Sequence, residues 1–247
     1  MGKKEACPVE PKLTRQLLIR PSLCDHTARL GVADAFAVCM DLATEHANAL
    51  GIGVAELSPR HLFWLTVKTR LVFTRRPAMN SEITGETWPE PADRIRCNRD
   101  YVLRQGGEAL IRGKTEWAVL NTETGSLIPA GQVFPPDLVP LTDRVWEQPF
   151  ARLKDDFIQP PFAGYTVRST DIDLGGHMNN VAYVRALAGA FSTAEWDALP
   201  LRELEIHFKS SCYEGDELAI QRRTGDGGAL ELRMSVAGRT AVLARIM

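Results

Sequence analysis

Two aspartates and a histidine share one short run, Asp171-Ile172-Asp173-Leu174-Gly175-Gly176-His177-Met178-Asn179-Asn180. The adjacent glycines let the chain bend, so acid and imidazole can be brought close together. A carboxylate in such a loop can attack an electrophile or orient a water, and His177 can carry a proton near neutral pH. Asn179 or Asn180 is a good N-cap for a following helix. The first N–H groups of that helix are then free to hold the oxyanion formed when a thioester carbonyl is attacked. The pattern points to acyl chemistry centred on Asp173 and His177.

Other chemistries fit these residues less well. Asp171, Asp173 and Gly176 partly match a calcium loop, but the twelfth position, which needs a bidentate Glu, is Ala182. Zinc is disfavoured because the five histidines are scattered and no C-x-x-C pair exists. The bland alternative makes Asp171, Asp173 and the asparagines turn and capping residues only. The histidine and the apolar helix that follow weigh against it. Ser211 and Cys212 end a strand, and a cysteine near a histidine can act as a nucleophile. Yet Cys212 shares parity with Ile206 and Phe208, which marks it as a small buried hydrophobe. His46 and His207 read as structural or solvated. No G-x-S-x-G elbow, Walker A loop or complete G-x-G-x-x-G is present.

The elements that must position this loop occur twice. A short strand (residues 16–20, then 162–168) leads to an alanine-rich helix (about 34–50, then about 179–196). Alternating strands follow. Leu65, Val67, Thr69, Leu71 and Phe73 alternate with polar neighbours such as Lys68 and Arg70. Leu204, Ile206 and Phe208 alternate with Glu205, His207 and Lys209, and Leu230, Leu232, Met234 and Val236 with Glu231, Arg233 and Ser235. Period-two alternation implies one buried and one wet sheet face. Gly106-Gly107 and residues 225–228 are hairpin signals at comparable places. The second helix is apolar nearly all round, so it is expected to be buried on most sides. Each half therefore reads as an α+β unit, an antiparallel sheet wrapped around a central helix, with the two sheets side by side. Seven of the fifteen prolines lie between Pro129 and Pro161. Regular structure is not expected there, so the chain divides into residues 1–128, a proline-rich linker at 129–161, and 162–247.

Bulk properties narrow the classes. The formal net charge of −2 indicates no general attraction to nucleic acid or anionic lipid. The apolar runs are too short to span a bilayer. Five dispersed cysteines with no secretory signal ahead of them fit free thiols in a reducing compartment, so a cytoplasmic location is expected.

With these residues in view, the chain resembles the acyl-ACP thioesterases, which release fatty acids from acyl carrier protein. The likeness runs through Ala43-Thr44-Glu45-His46-Ala47, Leu50-Gly51-Ile52-Gly53, Trp64, Arg76-Pro77, Glu86-Thr87-Trp88 and Glu116-Trp117. It continues through the D-x-D-x-x-x-H-x-N-N-x-x-Y run over residues 171–183 and Gly215-Asp216. The resemblance implies a tandem double hot-dog fold, no metal or organic cofactor, and hydrolysis of fatty acyl-ACP in fatty acid biosynthesis. It places the catalytic aspartate on Asp173 and the histidine on His177. The family's asparagine falls on Gly175 and its glutamate on Ser211, two departures, while the neighbouring cysteine of plant members is present as Cys212. The first half, with Cys24-Asp25-His26 at the equivalent loop, is implied to bind the acyl chain. Acyl-CoA hydrolysis, acyl-thioester binding without hydrolysis, and hydration of an enoyl thioester are the alternatives. The carrier, ACP or CoA, is the expected partner, and a homodimer is left open. Arg75-Arg76 and Arg222-Arg223 are candidates for a basic surface that receives an acidic carrier.

Overall fold

The computed structural model describes residues 10–92 and 95–247. Cys7 lies outside them. The first half contains β1 (Leu13–Leu18), α1 (Val32–Ala49), the single turn α2 (Val54–Leu57), β2 (Leu62–Phe73), β3 (Glu82–Pro89), β4 (Arg96–Gln105), β5 (Glu108–Asn121) and β6 (Leu127–Ile128). The second contains β7 (Ala163–Thr166), α3 (Asn180–Gly189), α4 (Thr193–Asp197), β8 (Glu203–Phe208), β9 (Glu217–Thr224), β10 (Leu230–Val236) and β11 (Arg239–Ile246). The strands form one antiparallel sheet in the order β1-β3-β4-β5-β2-β8-β11-β10-β9-β7, with β6 added to β5. The two halves thus repeat one order outward from a central seam, where β2 pairs β8 with Thr69 opposite Ile206 and Leu71 opposite Leu204.

Each sheet half curls around its own helix, and the two helices pack against each other beneath the seam. Phe36 of α1 meets Phe208 of β8 edge-on, and Tyr183 of α3 meets the same ring. Alanines at 35, 43, 182 and 186 are buried. Their small side chains permit the close approach of helix to sheet that the apolar pattern calls for. The second helix is shorter than expected. It stops at Gly189, and Ser192 begins α4 with a capping box in which Glu195 returns a bond to the Ser192 N–H.

The outer face of the sheet departs most from the alternation pattern. Glu205 and His207 were expected on a wet face, yet both are buried. The proline-rich segment lies over them as a strap. The Ala151 N–H donates to Glu205 Oε1 at 2.7 Å, and the Phe150 ring stands edge-on to His207. Arg70 reaches Glu205 at 2.9 Å and His207 Nε2 reaches it at 2.7 Å, so the buried carboxylate is compensated. Further along, Lys114 donates to the Trp146 carbonyl and Trp88 to the Asp143 carbonyl. On the second half, Arg223 holds Asp156 and stacks over Phe157. A bulge between Thr66 and Lys68 also shifts the register of β2 against β5, so strict alternation does not run the length of that strand.

Candidate active site

The Asp173 loop is built by backbone bonds before any side chain takes part. The Asp173 N–H donates to the His177 carbonyl and the Gly176 N–H to the Asp173 carbonyl, each at 3.0 Å. Gly176 sits at φ 75°, the left-handed region that glycine enters without cost. Ile172 and Met178 bridge across the loop base, and the Met178 N–H donates to the Cys212 carbonyl at 2.8 Å. The Asn179 side chain accepts from Ala182 N at 2.8 Å and donates to the Asp171 carbonyl, so it both caps α3 and closes the loop. Asp171 is occupied structurally, since Oδ2 accepts from Tyr165 Oη and Arg168 N.

This framework brings Asp173 and His177 together, with Nδ1 to Oδ1 at 3.5 Å and both side chains partly exposed. Asp173 Oδ1 also accepts from Gly175 N at 2.7 Å. The imidazole lies over Gly175. A Cβ there would stand 2.9 Å from His177 Nε2 and 3.1 Å from Asp173 Oδ1. The residue where the resemblance places an asparagine is therefore the residue whose missing side chain lets the ring rest in this position. The N–H groups of Asn180 and Val181, at the start of α3, have no acceptor among the described residues. Both residues face the same space as Asp173 and His177.

That space is a cavity of about 550 Å³. It starts at Asp173, His177, Asn180 and Ser211, passes Phe208, and continues into the first half between α1 and the inner sheet face. Met40, Ala43, Thr44 and Ala47 form its α1 wall, a helical stripe of mostly small residues, and Trp64, Trp117 and Arg99 lie on the sheet side. Cys212 is fully buried behind the loop, where burial raises its thiol pKa. Its N–H donates to Tyr183 Oη at 3.0 Å, so it anchors rather than attacks.

The first half contains a counterpart of the loop that residue spacing did not reveal. Asp25 N–H donates to the Arg29 carbonyl and Ala28 N–H to the Asp25 carbonyl, with Ala28 at φ 53°. Cys24 bridges Leu30, and Leu30 N–H donates to the Pro77 carbonyl. Bond for bond, Asp25 corresponds to Asp173, Arg29 to His177, and Arg76 to Ser211. Here Arg76 fills the loop, pairing with Asp25 and donating to the Leu30 carbonyl and Thr27 Oγ1. The pairing with Arg76 and the bonds from Thr27 outweigh burial and hold the Asp25 carboxyl below the usual range. Arg76 is therefore committed, as are Arg75 to Glu108, Arg222 to Glu195 and Arg223 to Asp156 and Glu231. Arg76 and Arg223 are thus largely buried, while Arg75 and Arg222 remain exposed in surface pairs.

Comparison with known proteins agrees with this architecture. The acyl-ACP thioesterase N-terminal domain matches residues 11–129 and the corresponding C-terminal domain matches residues 156–244. Chloroplastic dodecanoyl-acyl-carrier-protein hydrolase of Cinnamomum camphora is 27% identical over 209 residues, covering 77% of this chain and 53% of that protein. Chloroplastic oleoyl-acyl carrier protein thioesterase 1 of Arabidopsis thaliana is 23% identical over 195 residues, covering 71% and 54%. The chain thus spans about half the length of the curated relatives it matches. An acyl-ACP thioesterase structure from Bacteroides thetaiotaomicron shares the fold with a TM-score of 0.87 at 21% identity, covering 96% of this chain and 97% of that one. The 12:0-ACP thioesterase of Umbellularia californica does so with a TM-score of 0.77 at 20% identity, covering 96% of each chain. Two successive domain matches that together take in most of the sequence make this chain a member of the acyl-ACP thioesterase family.

Proposed function

We propose that the chain hydrolyses fatty acyl-ACP to free fatty acid and ACP, in fatty acid biosynthesis in the cytoplasm. The observation that carries this reading is the continuous cavity that begins at Asp173 and His177 and runs between α1 and strands β2, β5 and β4 of the first half. Residues 1–128 then hold the acyl chain, residues 162–247 carry the chemistry, and residues 129–161 strap the two together. The thioester carbonyl sits against the N–H groups of Asn180 and Val181, which hold the oxyanion as it forms. Asp173 acts as the nucleophile or as the base that positions water, and His177 moves the proton to the leaving thiolate. When water attacks, the carbon–sulfur bond breaks to give carboxylate and thiol directly; when Asp173 attacks, the same bond breaks to leave an acyl-aspartyl anhydride, which a water then hydrolyses to carboxylate and free Asp173. Asn179 positions the helix, while Gly175, Ser211 and Cys212 shape the loop. The curated relatives named above support ACP as the carrier, and CoA is the alternative.

Thiol release from a panel of acyl-ACPs and acyl-CoAs, with Asp173→Asn and His177→Ala beside the parent, tests the reading. Release that favours ACP and is lost in both folded variants is expected. Variants near the parent rate would remove these residues from the mechanism. A second reading, acyl-thioester binding without hydrolysis, is favoured by glycine and serine standing at 175 and 211. It requires binding with no thiol released from any substrate.

A further inference from the structure

Arg99 on β4 lies on the cavity wall, yet it is only 6% exposed. Its Nη1 donates to His46 Nδ1 at 3.0 Å and to Thr87 Oγ1 at 3.3 Å. Both of its hydrogen bonds run through Nη1, so Nε and Nη2 reach no acceptor and no carboxylate pairs with it among the described residues. Burial pulls the guanidinium pKa down, as expected for a cation without a counter-charge. Trp117 Nε1 and Tyr101 Oη are buried on the same inner sheet face, where the Tyr101 hydroxyl lies close to Thr115 and to the Trp117 indole, and Trp117 also lines the cavity. A buried cation with open donors beside an apolar track is costly unless a ligand or water satisfies it.

Its position along the track gives this feature a role. From β8 beside the Asp173 loop, the sheet order runs β8-β2-β5-β4. Arg99 is three strand spacings away, about 14 Å at the usual strand separation. The walls between are mainly apolar, formed by Phe208, Val67 and Trp117 on the sheet side and Ala43 and Ala47 on α1, with the Thr44 hydroxyl turned back to the Met40 carbonyl. Resting on the reading that this cavity holds the acyl chain, we infer that Arg99 is a specificity-determining polar end to the acyl track: an unsubstituted chain is accepted only if it stops short of the guanidinium, and a chain that reaches it is accepted when its tip carries an oxygen acceptor. A methyl tip pressed against Arg99 strips the remaining water from the donors and returns nothing. A hydroxyl tip replaces that water.

The test is a ladder of unsubstituted acyl-ACPs beside the same ladder with ω-hydroxyl tips, read as kcat and KM by thiol release. For the parent, kcat/KM of the unsubstituted series is expected to fall sharply beyond one length. At the first disfavoured length the ω-hydroxyl substrate should recover roughly 10-fold or more. The difference should lie in KM, because the tip is remote from the reacting carbonyl. Arg99→Met should relieve the fall and abolish the hydroxyl advantage, while Arg99→Lys keeps part of both. Hydroxyl tips no better than methyl tips at any length would overturn the inference, as would an Arg99→Met profile that matches the parent. If Arg99→Met does not fold, the two ladders on the parent protein still decide. If no substrate releases thiol, the hydrolase reading fails instead, and the same ladders read by calorimetric binding decide the role of Arg99 separately.

Discussion

Acid should weaken this fold through one imidazole. His46 is 2% exposed, with Nδ1 accepting from Arg99 and Nε2 facing the Glu10 carbonyl at 3.0 Å. That arrangement requires the neutral ring with its proton on Nε2. Burial, and then the Arg99 charge, lower its pKa to about 4, against a smaller opposite pull from the Glu10 carbonyl. An unfolded histidine titrates near 6.5. The folded state therefore disfavours the charged ring, so the stability linked to His46 is complete above about pH 6.5 and is lost as pH falls toward 4. Between about pH 7 and about pH 4.5 the loss amounts to about 2.5 kcal/mol. Urea unfolding at both pH values, with His46→Gln beside the parent, isolates it. The glutamine offers the same acceptor and donor but no titration. Carboxylates held low in the fold, such as Asp25 and Glu86, act equally in both proteins and cancel. The parent should lose about 2.5 kcal/mol more than the variant on acidification. Equal losses would refute the argument.

Three other perturbations follow from contacts already described. Gly175→Asn places a Cβ against His177 Nε2, so the ring must move; turnover should fall about 10-fold or more with the melting temperature little changed, by thiol release and circular dichroism. Asn179→Ala removes the α3 cap and the bond to the Asp171 carbonyl, and urea unfolding should show a loss of about 1 kcal/mol or somewhat more. Glu205→Ala strands His207 and the Ala151 N–H and leaves Arg70 with Glu203 alone, and thermal and urea unfolding should both report a loss of about 3 kcal/mol.

The sequence exposes the parts of the fold that local patterning controls. The helices from residue 32 and residue 180 follow from their apolar stripes, and the hairpins at Gly106-Gly107 and residues 225–228 from glycine. The loop at Asp173 and His177 is legible because acid, glycine, histidine and cap are contiguous. What is not legible depends on partners distant in sequence. Glu205 and His207 read as wet because a charge in a strand looks solvated whether or not an arginine and a strap enclose it. The bulge in β2 resets alternation without any marking residue. The resemblance puts Asp25 in the equivalent loop, but its bond-for-bond match to Asp173 shows only in the backbone, because Arg29 replaces the histidine. Arg99 looks like any cation in a β-strand until α1 closes over it.

The filled loop at Asp25 has a consequence for counting. A pair of identical modules related by symmetry would present two equivalent reaction centres, and each would have to remain open. Covalent fusion lifts that requirement. Here Arg76 occupies one loop while Ser211 leaves the other clear, so on the proposed reading only the Asp173 loop is open to substrate. Titration with a reagent that traps the acylated or occupied site should therefore reach an endpoint at one equivalent per chain. Clearing Arg76 alone would not raise that number, because Arg29 stands where the second histidine would be needed.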